Sequence, residues 1–217
     1  MLENLKIIDI SDSVISFNFS RIIDININAN IHQIENFVSE SKVAGLISHY
    51  PTYNSLIINY DFQKTSRKKL IDDIKKIIID IDFVVDNEEN LLEIPVSYGG
   101  TDGPDLHNIS KILKLREDEI IEIHSGTKYH VFMIGFSPGF PYLGGLDERL
   151  ECPRLPTPRI TIPAGSVGIA DKQTGIYPLE SPGGWRIIGR TSLKLVDLKK
   201  KNFSLIKPGM KIKFKPL

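Results

Sequence analysis

Apolar and polar positions change rhythm twice along this 217-residue chain. Residues 5–10 and 14–19 hold two short apolar-rich runs separated by Ser11, Asp12 and Ser13. That spacing predicts two strands joined by a tight turn. Ile31, Ile34, Phe37 and Val38 then recur at three- and four-residue intervals, one side of a helix with Asn28 or Asn30 as its N-cap. Residues 46–49 and 55–60 read as a second strand pair around Pro51. Thr65 or Ser66 caps a second helix that carries Leu70, Ile74, Ile77, Ile78 and Ile81 on one side. The order ββαββα predicts a small α+β sandwich with its helices on one sheet face. The polar stretch 86–90 reads as a linker, which divides the chain into a domain of residues 1–88 and a domain of residues 89–217.

Beyond the linker the rhythm differs. Residues 91–97 read as a strand, followed by the glycine-rich turn 98–104. Pro104 suits a first helical position, with Leu106, Ile109, Ile112 and Leu113 inward. Glu117, Asp118 and Glu119 suit a second helix start, and Gly126 its end. Residues 128–135 read as a strand, and only short strand-like pieces follow. The last, 211–215, alternates Lys with Ile and Phe, the pattern of a half-buried edge strand whose lysines discourage pairing. Short strands at this spacing favour a barrel.

Composition sharpens the picture in one place. Residues 135–190 hold ten of the 16 glycines, eight of the 13 prolines, and the sole tryptophan and cysteine. Glycine opens backbone angles closed to other residues, and proline fixes φ and removes a donor. Tight turns therefore hold rigid loops here, with Phe136, Phe140, Tyr142, Tyr177 and Trp185 interleaved. These aromatics form either an apolar slot for a small ring or a peptide, or barrel core. Over the whole chain 27 basic residues balance 27 acidic ones, so non-specific nucleic-acid binding is not expected. No signal-peptide pattern opens the chain and no apolar run reaches membrane-span length, which predicts a cytoplasmic protein that does not engage a membrane. No His/Cys spacing suggests zinc, and no metal site is expected.

Several residues of the same stretch are chemical candidates. Gly135-Phe136-Ser137-Pro138-Gly139 matches a G-x-S-x-G pattern, but a nucleophile elbow needs a helix after the turn, and Pro138 and Pro141 obstruct one. Cys152 has Arg149 and Arg154 near it in sequence, which would lower its pKa, or it is an incidental loop thiol. His130, mid-strand before the glycine loop, is either a satisfied barrel histidine or a substrate-facing acid or base and candidate catalytic residue. The chain has only eight arginines, yet five lie here, and a guanidinium fork grips carboxylate or phosphate as a Lys point charge does not. Arg159 and Arg190 are the favoured anion contacts, with surface pairing to Asp147, Glu148, Glu151 or Glu180 as the alternative. With Gln173 and the five aromatics they make up the candidate substrate-binding set. No Walker A sequence and no G-x-G-x-x-G is present, so any ATP is held at an unfamiliar site or by a partner.

The runs GFSPGFPYLGGL, TPRITIPAGSVGIADKQTGIYPLESPGGW and IGRTSLKL, together with EIPVSYGGTDGPDL, resemble the family of 5-oxoprolinase B subunits. That family is also described as allophanate-hydrolase-subunit-1-like, and it includes a sporulation kinase inhibitor. The likeness covers residues 93–217, while the family's usual Gly-Asp opening appears as Ser11-Asp12. It implies a ferredoxin-like N-terminal domain and a cyclophilin-like β-barrel C-terminal domain. Joined to a C subunit, the family resembles the carboxyltransferase portion of biotin-dependent urea carboxylases. With subunits A and C it hydrolyses 5-oxo-L-proline to L-glutamate with ATP, bound by the assembled complex. The alternative implied function is inhibition of a histidine kinase. Peptidyl-prolyl isomerisation rests on the barrel likeness alone, and a fold does not imply a function.

Overall fold

A computed structural model describes residues 2–84 and 91–217. The linker expected at 86–90 lies outside the described residues. The chain divides into two compact units, Met1–Asn87 and Glu88–Leu217.

The first unit runs β1 (Lys6–Ser11), β2 (Val14–Asn18), α1 (Ile25–Glu40), β3 (Leu46–Pro51), β4 (Ser55–Tyr60) and α2 (Arg67–Asp80). Its sheet has the order β1-β2-β4-β3, with all neighbours antiparallel. Ile15, Phe17, Leu56 and Ile58 of the sheet close on Ile31, Ile34 and Val38 of α1 and Leu70, Ile74 and Ile78 of α2 in one core. Ser66 caps α2 by accepting from Lys69 N at 3.2 Å. The expected cap of α1 is corrected. Asp24, not Asn28 or Asn30, accepts from Ile27 N at 2.9 Å. Asn28 lies inside the helix, fully buried, and its Nδ2 donates to the carbonyls of Thr52 and Tyr53. It ties the β3–β4 turn to the helix, a long-range use that local spacing does not reveal. Phe37, at helical spacing with Ile31, Ile34 and Val38, is 45% exposed.

The second unit begins with β5 (Leu91–Tyr98), α3 (Leu106–Leu113), α4 (Glu117–Gly126), β6 (Lys128–Ile134) and β7 (Pro141–Gly144). It continues with β8 (Arg159–Ile162), β9 (Ser166–Ala170), β10 (Gln173–Ile176), β11 (Ser181–Gly183), β12 (Arg186–Arg190) and β13 (Lys211–Pro216). Seven strands close a barrel in the order β10-β7-β6-β13-β5-β12-β9, and β8 and β11 form a separate ribbon. Ile94, Val96, Tyr129, Val131, Leu143, Val167, Ile169, Ile188, Ile212 and Phe214 fill its core.

The edge-strand reading of 211–215 is overturned. β13 pairs parallel with β5 over six positions and antiparallel with β6. Alternating Lys and apolar residues report one wet face and one dry face, and a closed barrel supplies both without any edge. Two smaller corrections concern α3. It begins at Leu106, two residues after Pro104, and Ile112 is 42% exposed.

Candidate functional site

The β6–β7 connection builds the site from its backbone. Gly135 N donates to Phe140 O at 3.0 Å, and Phe140 N to Ser137 O at 3.0 Å. Ser137 N bonds back to Gly135 O at 2.6 Å, a three-residue turn with Phe136 at its tip. Phe136 sits there at φ 60, a left-handed conformation that carries strain for an aromatic residue, and it is 62% exposed. Strand follows strand across this loop, so Ser137 lacks the helix an elbow requires. Its Oγ is buried without a hydrogen-bond partner among the described residues, so no base activates it.

The loop delivers Phe140 to the centre of an aromatic cluster. Its ring lies edge-on to Tyr142 and Tyr177 at 5.1 Å, to Trp185 at 5.4 Å and to Phe136 at 5.5 Å between centroids. Edge-to-face packing at these distances places the positive ring edges against the negative faces. Ile162, Ala170 and Ile187 complete the cluster. Gly175 makes the approach possible: a Cβ there would lie 2.9 Å from the Trp185 ring and 3.0 Å from the Phe140 ring. The five aromatics singled out from sequence are therefore brought together, but with divided roles. Phe140, Tyr177 and Trp185 are buried and act as packing, whereas Phe136 and the half-buried Tyr142 face outward. Burial pushes the Tyr142 phenol up, with the Arg154 charge partly opposing. The Arg154 guanidinium lies 6.0 Å from the Trp185 ring centroid, and its Nε reaches Asp171 at 3.1 Å.

The arginine expectations are revised by their partners. Arg159 spends its fork on Asp105, with Nη1 to Oδ2 at 2.8 Å and Nη2 to Oδ1 at 2.7 Å. This carboxylate is none of the four expected from nearby sequence, because it lies 54 residues away. The Arg159 fork is thus already engaged by a protein carboxylate. Arg190 makes none of the cluster's ring contacts; its Nε donates to Ala164 O at 2.9 Å. His130 is buried at 4% exposure, edge-on to Phe132 at 5.3 Å, on a strand whose Tyr129 and Val131 enter the barrel core. Gln173 opens β10 opposite Ala170, a cluster member. Cys152 is buried, and burial pushes its thiol up to about 11, with the Arg186 charge partly opposing. Arg149 and Arg154 do not activate it: they pair with Asp147 and Asp171.

Sequence spacing gives no sign of His124, in the last turn of α4. It is fully buried and stacks on Phe214 at 4.6 Å. Thr174 Oγ1 donates to Gly168 O at 2.9 Å, so its oxygen accepts from His124 Nε2 at 2.9 Å. That leaves Nδ1 to accept from the Tyr98 hydroxyl at 2.7 Å. Every polar atom of the ring is matched only in the neutral form, and burial pulls the imidazole from 6.5 down to about 3. Below pH 6.5 the unfolded chain gains a proton that the fold refuses. Stability should therefore be flat above that pH and fall as pH drops through the window from 6.5 towards 3. The slope is on the order of 1.4 kcal/mol per unit. Urea unfolding between about pH 7 and pH 5 should show about 2 kcal/mol lost by the parent but not by His124→Gln; equal losses in the two would refute this role.

Among the described residues no group of three or more His, Cys, Asp or Glu side chains is placed to hold a metal ion. No described helix is long and apolar enough to cross a membrane.

Known proteins are similar to this chain in sequence and in fold. The 5-oxoprolinase B subunit of Bacillus subtilis (strain 168) is 36% identical over 99% of this chain and 93% of its own length. The 5-oxoprolinase B subunit of Escherichia coli O157:H7 is 50% identical over 59% of each chain. The crystal structure of TTHA0988 superposes with a TM-score of 0.82 at 30% identity, covering 94% of this chain; the chain spans 40% of that longer one. The family model described as carboxyltransferase domain, subdomain C and D, matches residues 5–206. Matched through both its sandwich and its barrel, this chain belongs to that carboxyltransferase-domain family and, within it, to the family of 5-oxoprolinase B subunits.

Proposed function

We propose that this protein is the B subunit of a cytoplasmic, ATP-dependent 5-oxoprolinase that converts 5-oxo-L-proline to L-glutamate together with subunits A and C. The observation that carries this reading is the end-to-end match to the Bacillus subtilis protein of that name. A cyclic amide resists water, and phosphorylating its oxygen first makes the carbon open to attack. ATP is read as bound by the assembled complex, and the lack of a Walker A sequence fits a shared or non-standard nucleotide site. In this reading Phe136 and Tyr142 meet the ring of the substrate and Gln173 its polar edge. Phe140, Tyr177 and Trp185 form the bed beneath, and His130 acts on the reacting amide from the neighbouring strand.

Topology supports the finer fold reading as well. Residues 1–88 are read as a ferredoxin-like domain. The order β1-β2-β4-β3 is that of a β-α-β-β-α-β sandwich whose last strand has moved to the front of the chain. Residues 89–217 are read as a cyclophilin-like barrel.

The test is reconstitution with purified A and C subunits. The three together should hydrolyse ATP only when 5-oxoproline is present, and this chain alone should do neither. Substantial turnover by the isolated chain, or a correctly assembled complex with no 5-oxoproline dependence, would overturn the reading.

A further inference from the structure

A second feature of the barrel is unrelated to the aromatic cluster. β12 and β5 are joined through only two pairs, Gly189 with Tyr98 and Arg190 with Ser97. On its other edge β5 runs beside β13, which ends at Pro216 opposite Val96. Where these strand ends meet, a cleft of about 440 Å³ opens, and none of the five clustered aromatics lines it. Ser97, Asp102, Arg190, Ser192 and Lys194 supply its polar surface, and Leu193 and Leu217 part of its apolar surface.

Arg190 is held there by backbone rather than by an acid. Its Nε donates to Ala164 O at 2.9 Å. Its stem passes Gly165, at φ 85, where a Cβ would lie 3.5 Å from Arg190 Cγ and 2.1 Å from Thr191 O. The Thr191 carbonyl, rather than the Arg190 stem, is what requires glycine at this position. Among the described residues Arg190 forms no ion pair, whereas Arg67, Arg116, Arg149, Arg154 and Arg159 each have a carboxylate. Lys194 reaches only Asp197, at 3.7 Å, and is 73% exposed. The cleft thus presents an exposed guanidinium anchored through Nε, a second cation and two serine hydroxyls against one carboxylate. Both terminal nitrogens of a fork held this way suit two oxygens of one anion. Asp102 adds an acceptor for an N–H or O–H group of the same ligand, and the volume suits a small metabolite.

We propose that this cleft binds a small-molecule oxyanion, a carboxylate or phosphate, on the Arg190 fork, with Lys194 as the second cation. The experiment is titration calorimetry of the full chain at low salt with two probes, tripolyphosphate and 5-oxo-L-proline. At least one should bind, and the one that does identifies phosphate or carboxylate as the ligand group. Arg190→Gln should weaken binding about ten- to a hundredfold, as expected for a lost charged hydrogen bond. Arg190→Lys should lose most of it, because a point charge lacks the fork. Lys194→Gln, at an exposed position, should leave folding intact and weaken binding a few fold, and it serves if the Arg190 variants misfold. No binding of either probe to the parent chain would overturn the proposal. So would undiminished binding in folded Arg190→Gln, or in Lys194→Gln where Arg190→Gln does not fold. Because the readout is binding by the chain alone, it does not depend on turnover by an assembled complex.

Discussion

Asp105→Ala is expected to destabilise the barrel unit by about 2–4 kcal/mol. Asp105 is a buried hub: beyond the Arg159 fork, its Oδ2 accepts from Ile187 N at 2.6 Å, and its own backbone N donates to Ile187 O at 2.9 Å. One carboxylate thereby ties the start of α3 to β12 and to the β8–β11 ribbon. Removing it strands the buried Ile187 N–H, which costs about 1–3 kcal/mol. The Arg159 side chain is 33% exposed and can turn to water, so the loss stays below that of a fully buried broken pair. Asp105→Asn keeps an acceptor for Ile187 N and should recover part of the loss. Arg159→Lys should act on stability rather than on substrate affinity, because its fork already has a protein partner. Denaturant unfolding of the three variants checks this. A loss below about 1 kcal/mol in Asp105→Ala would mean that the hub is not a structural lock.

Phe140→Ala is expected to cost about 3–5 kcal/mol, the range for deleting a buried ring from a packed core. Phe140 is 1% exposed and touches four other aromatic rings. The void would be bordered by Tyr177 and Trp185, which the surrounding glycine turns hold too rigidly to collapse. Because Trp185 is the chain's sole tryptophan, fluorescence reports directly on the cluster. The variant should show a red-shifted, more quenchable emission alongside the stability loss. Phe140→Leu, which retains most of the volume, should lose less than about half as much. Unchanged Trp185 emission with near-parental stability would show that the rings do not depend on one another. In an assembled enzyme the same variant should also lose activity, because Phe136 rests on Phe140 for its position.

Local pattern was sufficient wherever one element answers to its own neighbours in sequence. The three- and four-residue spacing of α2, the Ser66 cap, the acidic first turn of α4 and the strand–turn–strand openings of the first unit all follow from short-range rules, and all are found. The density of glycine and proline between residues 135 and 190 points to tight turns with aromatics interleaved but leaves slot and barrel core open; the aromatics gather in a cluster distinct from the barrel core. The misses share one cause. Asn28 looked like a cap because nothing nearby in sequence shows the Thr52 and Tyr53 carbonyls it serves. β13 looked like an edge because alternation reports faces and is silent about neighbours.

The site divides along the same line. Which residue types carry chemistry, and that they gather in one stretch, is a property of composition and spacing. Which of them are free to use it depends on contacts between residues far apart in the chain. Arg159 and Arg190 are indistinguishable as letters; closing the barrel places Asp105 against one and only a backbone carbonyl against the other. His124 reads as an ordinary polar residue in a helix's last turn until the barrel surrounds it, brings Tyr98 and Thr174 to its two nitrogens and removes water. Burial and partnership are set by chain closure over distances of tens of residues. The cost of burying an unmatched charge or donor then decides which side chains are committed to the fold and which remain available to a ligand.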